Sequence, residues 1–291
     1  MNNNILDGKK ISKIILDEIK DEIQQNNWQN KIGLAVIIIG NRNDSQIYVK
    51  KKIKACNYTG INSYKIELDS DITNNELCKV IDNLNNDNNI NGILVQLPIP
   101  NHLNEELILK KIDYLKDVDG FHAHNIGYLA MERRNPLFIP CTPKGCFELL
   151  KRYNIDVKGK NVVVIGKSNI VGMPMALLLM KHMATVTVCH IETTDITRHT
   201  KMADIIIVGV GVPQLVKKDW VKYGVIIIDI GINTIIDPTK KSGYRLVGDV
   251  DYKEIKDKAS YITPVPGGVG PMTVAMLMQN TLISYKNNLI T

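Results

Sequence analysis

A tyrosine and a lysine separated by one helical turn are the first residues of this sequence that could do chemistry. Tyr48 and Lys52 lie in the segment SQIYVKKKIKAC. If the segment is helical, both side chains lie on one face, and an aromatic platform flanks an amine. Ile47, Ile53 and Cys56 would then face a core. The alternative is a solvated helix face, because most lysine runs form one.

The elements around this segment are predicted to alternate between strand and helix. The apolar run KIGLAVIII, residues 31–39, predicts a buried strand that leads into the Tyr48 helix. Further strands are predicted near 63–68 and 92–97. The apolar spacing predicts helices over residues 8–25, 73–84 and 105–112. This alternation indicates a parallel α/β layer.

Two polar residues are expected near the Tyr48 helix. In parallel α/β sheets, ligands bind beyond the carboxyl ends of the strands. Gln96 lies at such an end, as does the loop before Tyr48. Asp119, in the charged loop 116–120, could accept hydrogen bonds from the ring N–H groups of a ligand. The alternative for Asp119 is an ordinary Asp-Gly turn.

The second half of the chain contains a glycine turn between a predicted strand and a predicted helix. Pro140-Cys-Thr-Pro143 is predicted to be a rigid link into a helix, and we place the domain boundary there. The strand at 159–166 runs into a loop that ends at Gly172, in the order of a phosphate-binding turn. Ser168 stands where the common GxGxxG pattern has its second glycine. Further strands at 184–189, 203–208 and 224–229 favour a doubly wound dinucleotide-binding sheet.

Three later loops are rich in glycine. The loops 209–213 and 231–233 follow strand ends, where the sugar and nicotinamide of a cofactor would lie. The alternative is that these glycines serve only the turns. The loop 263–271 contains prolines that stiffen it and glycines that let a ligand approach its backbone. It is therefore predicted to form a binding wall before a closing helix that starts at Met272.

Composition and charge narrow the class of protein. The 291 residues are 44% hydrophobic, which suits two globular domains. The net charge of +6 is spread along the chain and favours anionic small molecules over nucleic acid. The five cysteines form no CxxC pair, so we expect neither a disulfide nor a zinc site. Without a signal sequence or an apolar run of membrane length, a cytoplasmic protein with no membrane partner is expected.

Taken together, these motifs closely resemble those of the bifunctional methylenetetrahydrofolate dehydrogenase/cyclohydrolase (FolD) family. The matching blocks follow one another over nearly the whole chain: Tyr48 with Lys52, VQLP at 95–98, KDVDG at 116–120, PCTP at 140–143, GKSNIVG at 166–172 and PVPGGVGPMT at 264–273. The resemblance implies a parallel α/β folate-site domain over 1–141, onto which the helix 272–291 packs back. It also implies a Rossmann-like doubly wound NAD(P) domain over 142–271, an active-site cleft between the two, and a homodimer through the cofactor domain.

The resemblance also implies a reaction and a set of site residues. Members oxidise 5,10-methylenetetrahydrofolate to 5,10-methenyltetrahydrofolate with NADP+ and hydrolyse the product to 10-formyltetrahydrofolate, without a metal. The implied catalytic residues are Tyr48, Lys52, Gln96 and Asp119, of which Tyr48, Gln96 and Asp119 also bind the folate. The loop residues Pro264, Gly267 and Gly268 complete the substrate site, and the implied cofactor-binding residues are Gly166, Lys167, Ser168, Ile191 and Ile232.

The residue types fit this chemistry. A protonated lysine would repel the cationic methenyl product, so Lys52 should work better neutral. Partial burial lowers a lysine's pKa, and Gln96 can hydrogen-bond the amine without adding a charge that favours protonation. Neutral Lys52 can then assist the attack of water on the methenyl carbon, as general base or by positioning the water.

The cofactor site departs from the family pattern. NADP-using relatives usually carry Arg at the position of Lys167 and Ser at that of Ile191. Lys167 can still pair with a 2′-phosphate, but Ile191 offers no hydroxyl. Glu192 would repel that phosphate or bind a free ribose hydroxyl, unless it is only a solvated loop carboxylate. The predicted cofactor is NADP, with NAD possible.

Several alternatives stay open from the sequence. One is an NAD-preferring or mainly monofunctional dehydrogenase of the same family. Another is an NAD(P) oxidoreductase acting on a different small substrate, since the fold alone does not choose one. A third is a nucleotide-sensing protein without catalysis. The presence of Tyr48, Lys52, Gln96 and Asp119 argues against the second, and the presence of Lys52 and Gln96 argues against the third.

Overall fold

The computed structural model describes residues 4–240 and 243–290. Contacts within the chain define two compact units. One unit, the Lys52 unit, consists of Lys13–Cys141 together with the chain from Val274. The other, the Gly166 unit, consists of the chain up to Ser12 together with Thr142–Thr273. The functional domain bounds 1–141 and 142–271 stay a prediction.

The Lys52 unit contains a three-stranded parallel sheet. Its strands are β1 (Gly33–Ile39), β2 (Asn62–Leu68) and β3 (Gly92–Val95), in the order β2-β1-β3. The central strand β1 is buried over its whole length, which explains why its sequence is continuously apolar. The helices are α1 (Gly8–Gln25, which begins in the other unit), α2 (Asn43–Thr59), α3 (Asn74–Asn86), α4 (Glu105–Lys111) and α5 (Ala123–Ala130). The predicted parallel α/β layer is confirmed.

Helix α2 buries only part of the face that was predicted: Cys56 is buried as expected, and Ile53 is half-buried. Ile47 is 50% exposed, so its assignment to a core face is wrong. The buried side chains of α2 are instead Ser45, Val49, Lys52, Ala55, Cys56 and Thr59, which recur at helical spacing. Lys50, Lys51 and Lys54 are exposed, as expected. Lys52 therefore lies on the inward face of the lysine run.

The Gly166 unit contains a five-stranded parallel sheet. Its strands are β4 (Asn161–Ile165), β5 (Thr185–Cys189), β6 (Ile205–Val208), β7 (Ile226–Asp229) and β10 (Tyr261–Ile262), in the order β10-β7-β6-β4-β5. Counted within the unit this is the doubly wound order 2-1-3-4-5, whose direction reverses between β4 and β6. The predicted doubly wound sheet is confirmed. Its helices are α6 (Cys141–Arg152, which begins at the last residue of the Lys52 unit), α7 (Gly172–Lys181), α8 (Ile196–Thr200) and α9 (Tyr252–Ile255).

Several elements differ from the sequence prediction. Helix α6 begins at Cys141, so Thr142 and Pro143 belong to its first turn and not to a rigid link. Proline is tolerated there because an N–H in the first turn has no helical partner. The closing helix α10 spans Val269–Asn288 and begins three residues earlier than predicted. The antiparallel pair β8 (Asn233–Ile236) and β9 (Tyr244–Val247) was not predicted, nor was α5.

None of the helices within 4–240 and 243–290 combines the length and apolar character needed to cross a membrane.

Candidate active site

Lys52 is held at the carboxyl edge of the sheet by Gln96. The Lys52 side chain is buried, and its Nζ donates a hydrogen bond to Gln96 Oε1 at 3.0 Å. Gln96 directly follows β3, and its backbone N–H donates to Ile37 O at 2.9 Å, which extends the parallel ladder by one bond. Gln96 Nε2 donates to Leu97 O at 2.7 Å. Because the amide nitrogen is fixed to a carbonyl, the amide oxygen faces Lys52.

Burial sets the protonation preference of Lys52. The pKa of Lys52 is lowered because burial penalises its charged form, although the charge of Asp119 acts in the opposite direction. The pKa of half-buried Asp119 is raised by the same desolvation, against the charge of Lys52 and a hydrogen bond from the Cys141 thiol. Both shifts favour the neutral forms. A neutral amine carries a lone pair and can accept a proton.

Tyr48 lies one turn before Lys52 on α2, as the spacing predicted. Its ring is half-buried, and Lys51 Nζ lies 5.4 Å from the ring centroid. The structure thus places Tyr48 and Lys52 on one helix and brings Lys52, Gln96 and Asp119 together. The individual roles of these four residues stay predictions.

Asp117 was not recognised from the sequence. Its carboxylate is buried and accepts hydrogen bonds from His122 N at 2.8 Å, Phe121 N at 3.3 Å and Asn125 Nδ2 at 3.0 Å. Asn125 Oδ1 in turn accepts from Phe138 N at 3.2 Å. Burial, aided by the nearby charge of Asp119, raises the pKa of Asp117 to about 7. This network fixes the loop that carries Asp119.

Cys141 is a second residue that the sequence reasoning did not place in the site. It was interpreted only as a small apolar residue, and it is indeed a buried free thiol. Its Sγ lies 3.3 Å from Val118 O, and the Asp119 side chain is a second acceptor for the single thiol proton. Its position in the PCTP block, directly after Pro140, was the available signal.

The glycine turn of the Gly166 unit lies between β4 and α7. Gly166 has φ +114°, and a Cβ on Gly172 would lie 2.0 Å from Gly166 O, so neither position accommodates a side chain. Ser168 Oγ accepts hydrogen bonds from Val171 N at 3.2 Å and Gly172 N at 3.4 Å. Lys167 is exposed. A tight turn at a helix start beside the reversal of strand order fits the pyrophosphate of a dinucleotide.

The remaining predicted cofactor residues follow other strands of the same sheet. Ile191 and Glu192 follow β5, the neighbour of β4, and both are exposed, Ile191 by 95%. This turn is closed by Thr193 Oγ1, which accepts from His190 N at 2.8 Å. Ile232 follows β7 and is 43% exposed. An acidic residue after the strand next to the glycine turn is where many dinucleotide sites bind a ribose.

The predicted substrate residues of the proline–glycine loop belong to the Gly166 unit. Pro264 and Gly267 are half-buried, and Gly268 is buried. Gly267 O accepts a hydrogen bond from Lys9 N at 2.9 Å. These three residues are therefore in a different unit from Lys52, Gln96 and Asp119. Their contact with substrate stays a prediction.

No metal-binding group was found where the structure describes the chain. Within residues 4–240 and 243–290, no three His, Cys, Asp or Glu side chains are arranged to hold an ion.

Two family models match the chain. The model of the tetrahydrofolate dehydrogenase/cyclohydrolase catalytic domain matches residues 6–119, and that of the NAD(P)-binding domain of the same family matches residues 140–289.

Individual relatives match over nearly the full length. The bifunctional protein FolD 4 of Arabidopsis thaliana, a chloroplast protein, is 53% identical over 97% of this chain and 79% of its own. The crystal structure of the bifunctional FolD from Campylobacter jejuni is 50% identical, with a TM-score of 0.91 over 98% of this chain and 99% of that one. The Trypanosoma brucei FolD, solved with NADP and an inhibitor, is 40% identical, with a TM-score of 0.94 over 99% of this chain and 98% of that one. With both domains matched and half of the residues identical to those of full-length relatives, the chain belongs to the tetrahydrofolate dehydrogenase/cyclohydrolase family.

Proposed function

We propose that the chain is a bifunctional enzyme of one-carbon folate metabolism. It oxidises 5,10-methylenetetrahydrofolate to 5,10-methenyltetrahydrofolate with NADP+, and it hydrolyses that product to 10-formyltetrahydrofolate. The observation that carries this proposal is the buried Lys52 amine, bonded to Gln96 and beside Asp119. Its neutral form serves both steps.

The dehydrogenase step leaves a positive charge on the folate. NADP+, when bound, accepts the hydride that leaves the one-carbon bridge. Lys52 lowers the barrier by being uncharged, because a protonated amine would repel the methenyl cation. Gln96 supports this state, since it accepts a hydrogen bond from Lys52 without contributing a negative charge.

The cyclohydrolase step uses the lone pair of Lys52. Water attacks the cationic methenyl carbon while Lys52 Nζ takes one proton from the water. The bond from this carbon to N5 then breaks as the remaining hydroxyl proton is transferred to N5, which opens the five-membered ring and leaves the formyl group on N10. Protonation of Lys52 removes the lone pair, so we expect the hydrolysis rate to decrease when the pH is lower than the pKa of Lys52. The proton passes from Lys52 to solvent at the end of the cycle.

Substrate recognition is assigned to aromatic, polar and backbone groups. Tyr48 offers an aromatic face to the folate, and the carboxyl group of Asp119 offers hydrogen-bonding atoms to the pterin ring. Gln96 holds Lys52 by a hydrogen bond and lies at the carboxyl end of β3. We assign backbone contacts with the folate to Pro264, Gly267 and Gly268, in a loop where the absence of side chains at two positions permits close approach.

NADP+ is assigned to the Gly166 unit. The turn of Gly166 and Ser168 suits the pyrophosphate, and the exposed Lys167 suits the 2′-phosphate of NADP+. We assign Ile191 to the adenosine end and Ile232 to the nicotinamide end. The exposed Glu192 disfavours the 2′-phosphate and leaves use of NAD+ as the second candidate.

We infer that the enzyme is a cytoplasmic homodimer. Strand β5 forms one edge of the five-stranded sheet, and the nearby Met180 and Met183 are 48% and 67% exposed. An edge strand with exposed apolar neighbours suits pairing between two chains. All five cysteines are free thiols, which fits a reducing compartment. The molar mass of the protein, measured by light scattering as it elutes from a size-exclusion column, tests whether it is a dimer.

The decisive experiment follows absorbance with methylenetetrahydrofolate and either NADP+ or NAD+. We expect reduced cofactor with NADP+, and transient methenyl product that decays by hydrolysis. Faster turnover with NAD+ would keep the folate chemistry and favour Glu192 as the ribose ligand. Inactivity with both cofactors would contradict the proposed function.

A further inference from the structure

Two buried carboxylates accept hydrogen bonds from the loops that follow β6 and β7. Asp249 is fully buried, and Asp229, the last residue of β7, is 3% exposed. Asp249 Oδ2 accepts hydrogen bonds from Val210 N at 2.6 Å and Gly211 N at 3.0 Å. Asp249 Oδ1 accepts from Asn233 Nδ2 at 2.8 Å. One carboxylate therefore joins the loop after β6 to the start of β8.

Asp229 forms a matching set of bonds. Its Oδ1 accepts from Gly231 N at 3.0 Å and from Asp249 N at 3.0 Å. Its Oδ2 accepts from Val250 N at 2.9 Å. The two carboxylates are thus linked, because the backbone of Asp249 is held by Asp229 while the side chain of Asp249 holds Val210 and Gly211. Unpaired buried carboxylates are unfavourable, but each of these accepts three N–H donors.

Glycines leave room for this pair. A Cβ on Gly248 would lie 1.8 Å from Asp229 Oδ2, and a Cβ on Gly231 would lie 2.3 Å from Asp249 Oδ1. Atoms that are not covalently bonded cannot approach each other this closely. The glycine at 231, expected to serve a cofactor or only its turn, is therefore required by the Asp249 carboxylate.

The bonds to the carboxylates determine the direction of the loop carbonyls. A trans peptide plane directs its N–H and C=O to opposite sides. With the N–H groups of Gly211 and Gly231 turned to the carboxylates, the carbonyls of Val210 and Ile230 are directed away from them. In the parts of the chain that the structure describes, no N–H or O–H group donates to either carbonyl oxygen. Both loops lie at the carboxyl ends of strands on the side of β4 opposite to β5.

We propose that Asp249 and Asp229 are positioning residues for the nicotinamide half of the cofactor. They turn the amides of the β6 and β7 loops inward, so that the carbonyls of Val210 and Ile230 are available to a ligand's donors. The carboxamide NH2 and the ribose hydroxyls of a nicotinamide nucleotide are such donors. The adenosine half, on the side of Lys167 and Glu192, does not depend on this pair. The inference rests on the proposed use of NADP+.

The test compares two ligands with Asp249→Asn, by titration calorimetry. An asparagine has one acceptor and one donor, so in either orientation its NH2 group faces the donor of Asn233 or the amides of Val210 and Gly211. We expect binding of NADP+ to weaken by about 10- to 100-fold, as for the loss of a buried charged acceptor. Binding of 2′,5′-ADP, which lacks the nicotinamide half, should change by less than about twofold.

A rescue variant and a control complete the experiment. In the double variant Asp249→Asn with Asn233→Asp, the NH2 group at position 249 can donate to the carboxylate at position 233. The amide oxygen at position 249 can then accept from Val210 N and Gly211 N, so NADP+ binding should recover. Asp251→Asn removes a nearby carboxylate that pairs with Lys217 at 3.0 Å near the surface, and it should leave both ligands unaffected. Circular dichroism and the melting temperature of each variant report whether it is folded.

The outcomes separate the inference from the proposed function. Equal weakening of NADP+ and 2′,5′-ADP, or no weakening of either, would overturn the positioning role. Lack of rescue in a folded double variant would also overturn it. If the wild type binds neither ligand, the proposed NADP+ site is wrong, and the inference falls with it.

Discussion

Replacing Gln96 by glutamate tests whether Lys52 has to be neutral. The substitution keeps the length of the side chain and places a negative charge where Gln96 Oε1 lies, 3.0 Å from Lys52 Nζ. The new carboxylate cannot donate to Leu97 O, a bond that Gln96 Nε2 makes at 2.7 Å. Lys52 Nζ is therefore the donor that the structure places against the new carboxylate.

The size of the effect follows from this distance. An opposite charge within about 4–6 Å shifts a pKa by about 1–3 units toward the charged form. The neutral fraction of Lys52 falls about tenfold for each unit at a pH below its pKa. We therefore expect cyclohydrolase activity to fall by about 10- to 1000-fold at a pH below the wild-type midpoint, with the midpoint of the pH profile moved upward by the same 1–3 units.

The assay is the decay of methenyltetrahydrofolate absorbance over a range of pH. Gln96→Met is the control, because it removes the acceptor without adding charge and should not raise the midpoint. The reasoning is refuted if Gln96→Glu loses activity with an unchanged midpoint, or if activity does not recover toward high pH.

Three further predictions concern the two steps, the cofactor and stability. Lys52→Ala should abolish hydrolysis of methenyltetrahydrofolate while NADP+ still binds, measured by absorbance and calorimetry; unchanged hydrolysis would refute the role of Lys52. Glu192→Gln should lower the KM for NADP+ several-fold relative to that for NAD+, because it removes a charge that repels the 2′-phosphate; an unchanged ratio would show that Glu192 is only a solvated side chain. Because the pKa values of Asp117 and Asp229 are raised to about 7, the folded protein holds protons that the unfolded chain releases near pH 4. Their contribution to stability is complete below about pH 4 and is lost as the pH rises through 7. The melting temperature of Asp117→Asn should consequently depend less on pH between 5 and 8 than that of the wild type, and equal dependence would contradict the assignment.

The sequence was informative where local pattern and chemistry coincide. The uninterrupted apolar run of β1, the glycine turn after β4 and the four-residue spacing of Tyr48 and Lys52 are local features, and each led to the correct element. Gln96 was also placed correctly, because parallel strands end at a common edge.

Two of the missed residues, Asp249 and Cys141, act through partners far away in the chain, whereas the partners of Asp117 lie within eight positions of it. Asp249 holds Val210 across 39 positions, and Cys141 bonds Val118 across 23. No spacing rule connects such pairs, because only the folded backbone brings them together. Ile47 shows the converse error: its apolar side chain suggested a core position, but the buried face of α2 is rotated toward Val49 and Lys52.

The hydroxyl of Ser168 has a consequence for how tightly an anion can be held. It already accepts the N–H groups of Val171 and Gly172 at the start of α7. If the assigned phosphate binds these amides, it displaces the Ser168 hydroxyl, which returns when the phosphate leaves. This exchange would lower the affinity for the phosphate, and it would keep the first N–H groups of α7 hydrogen-bonded whenever the cofactor is absent.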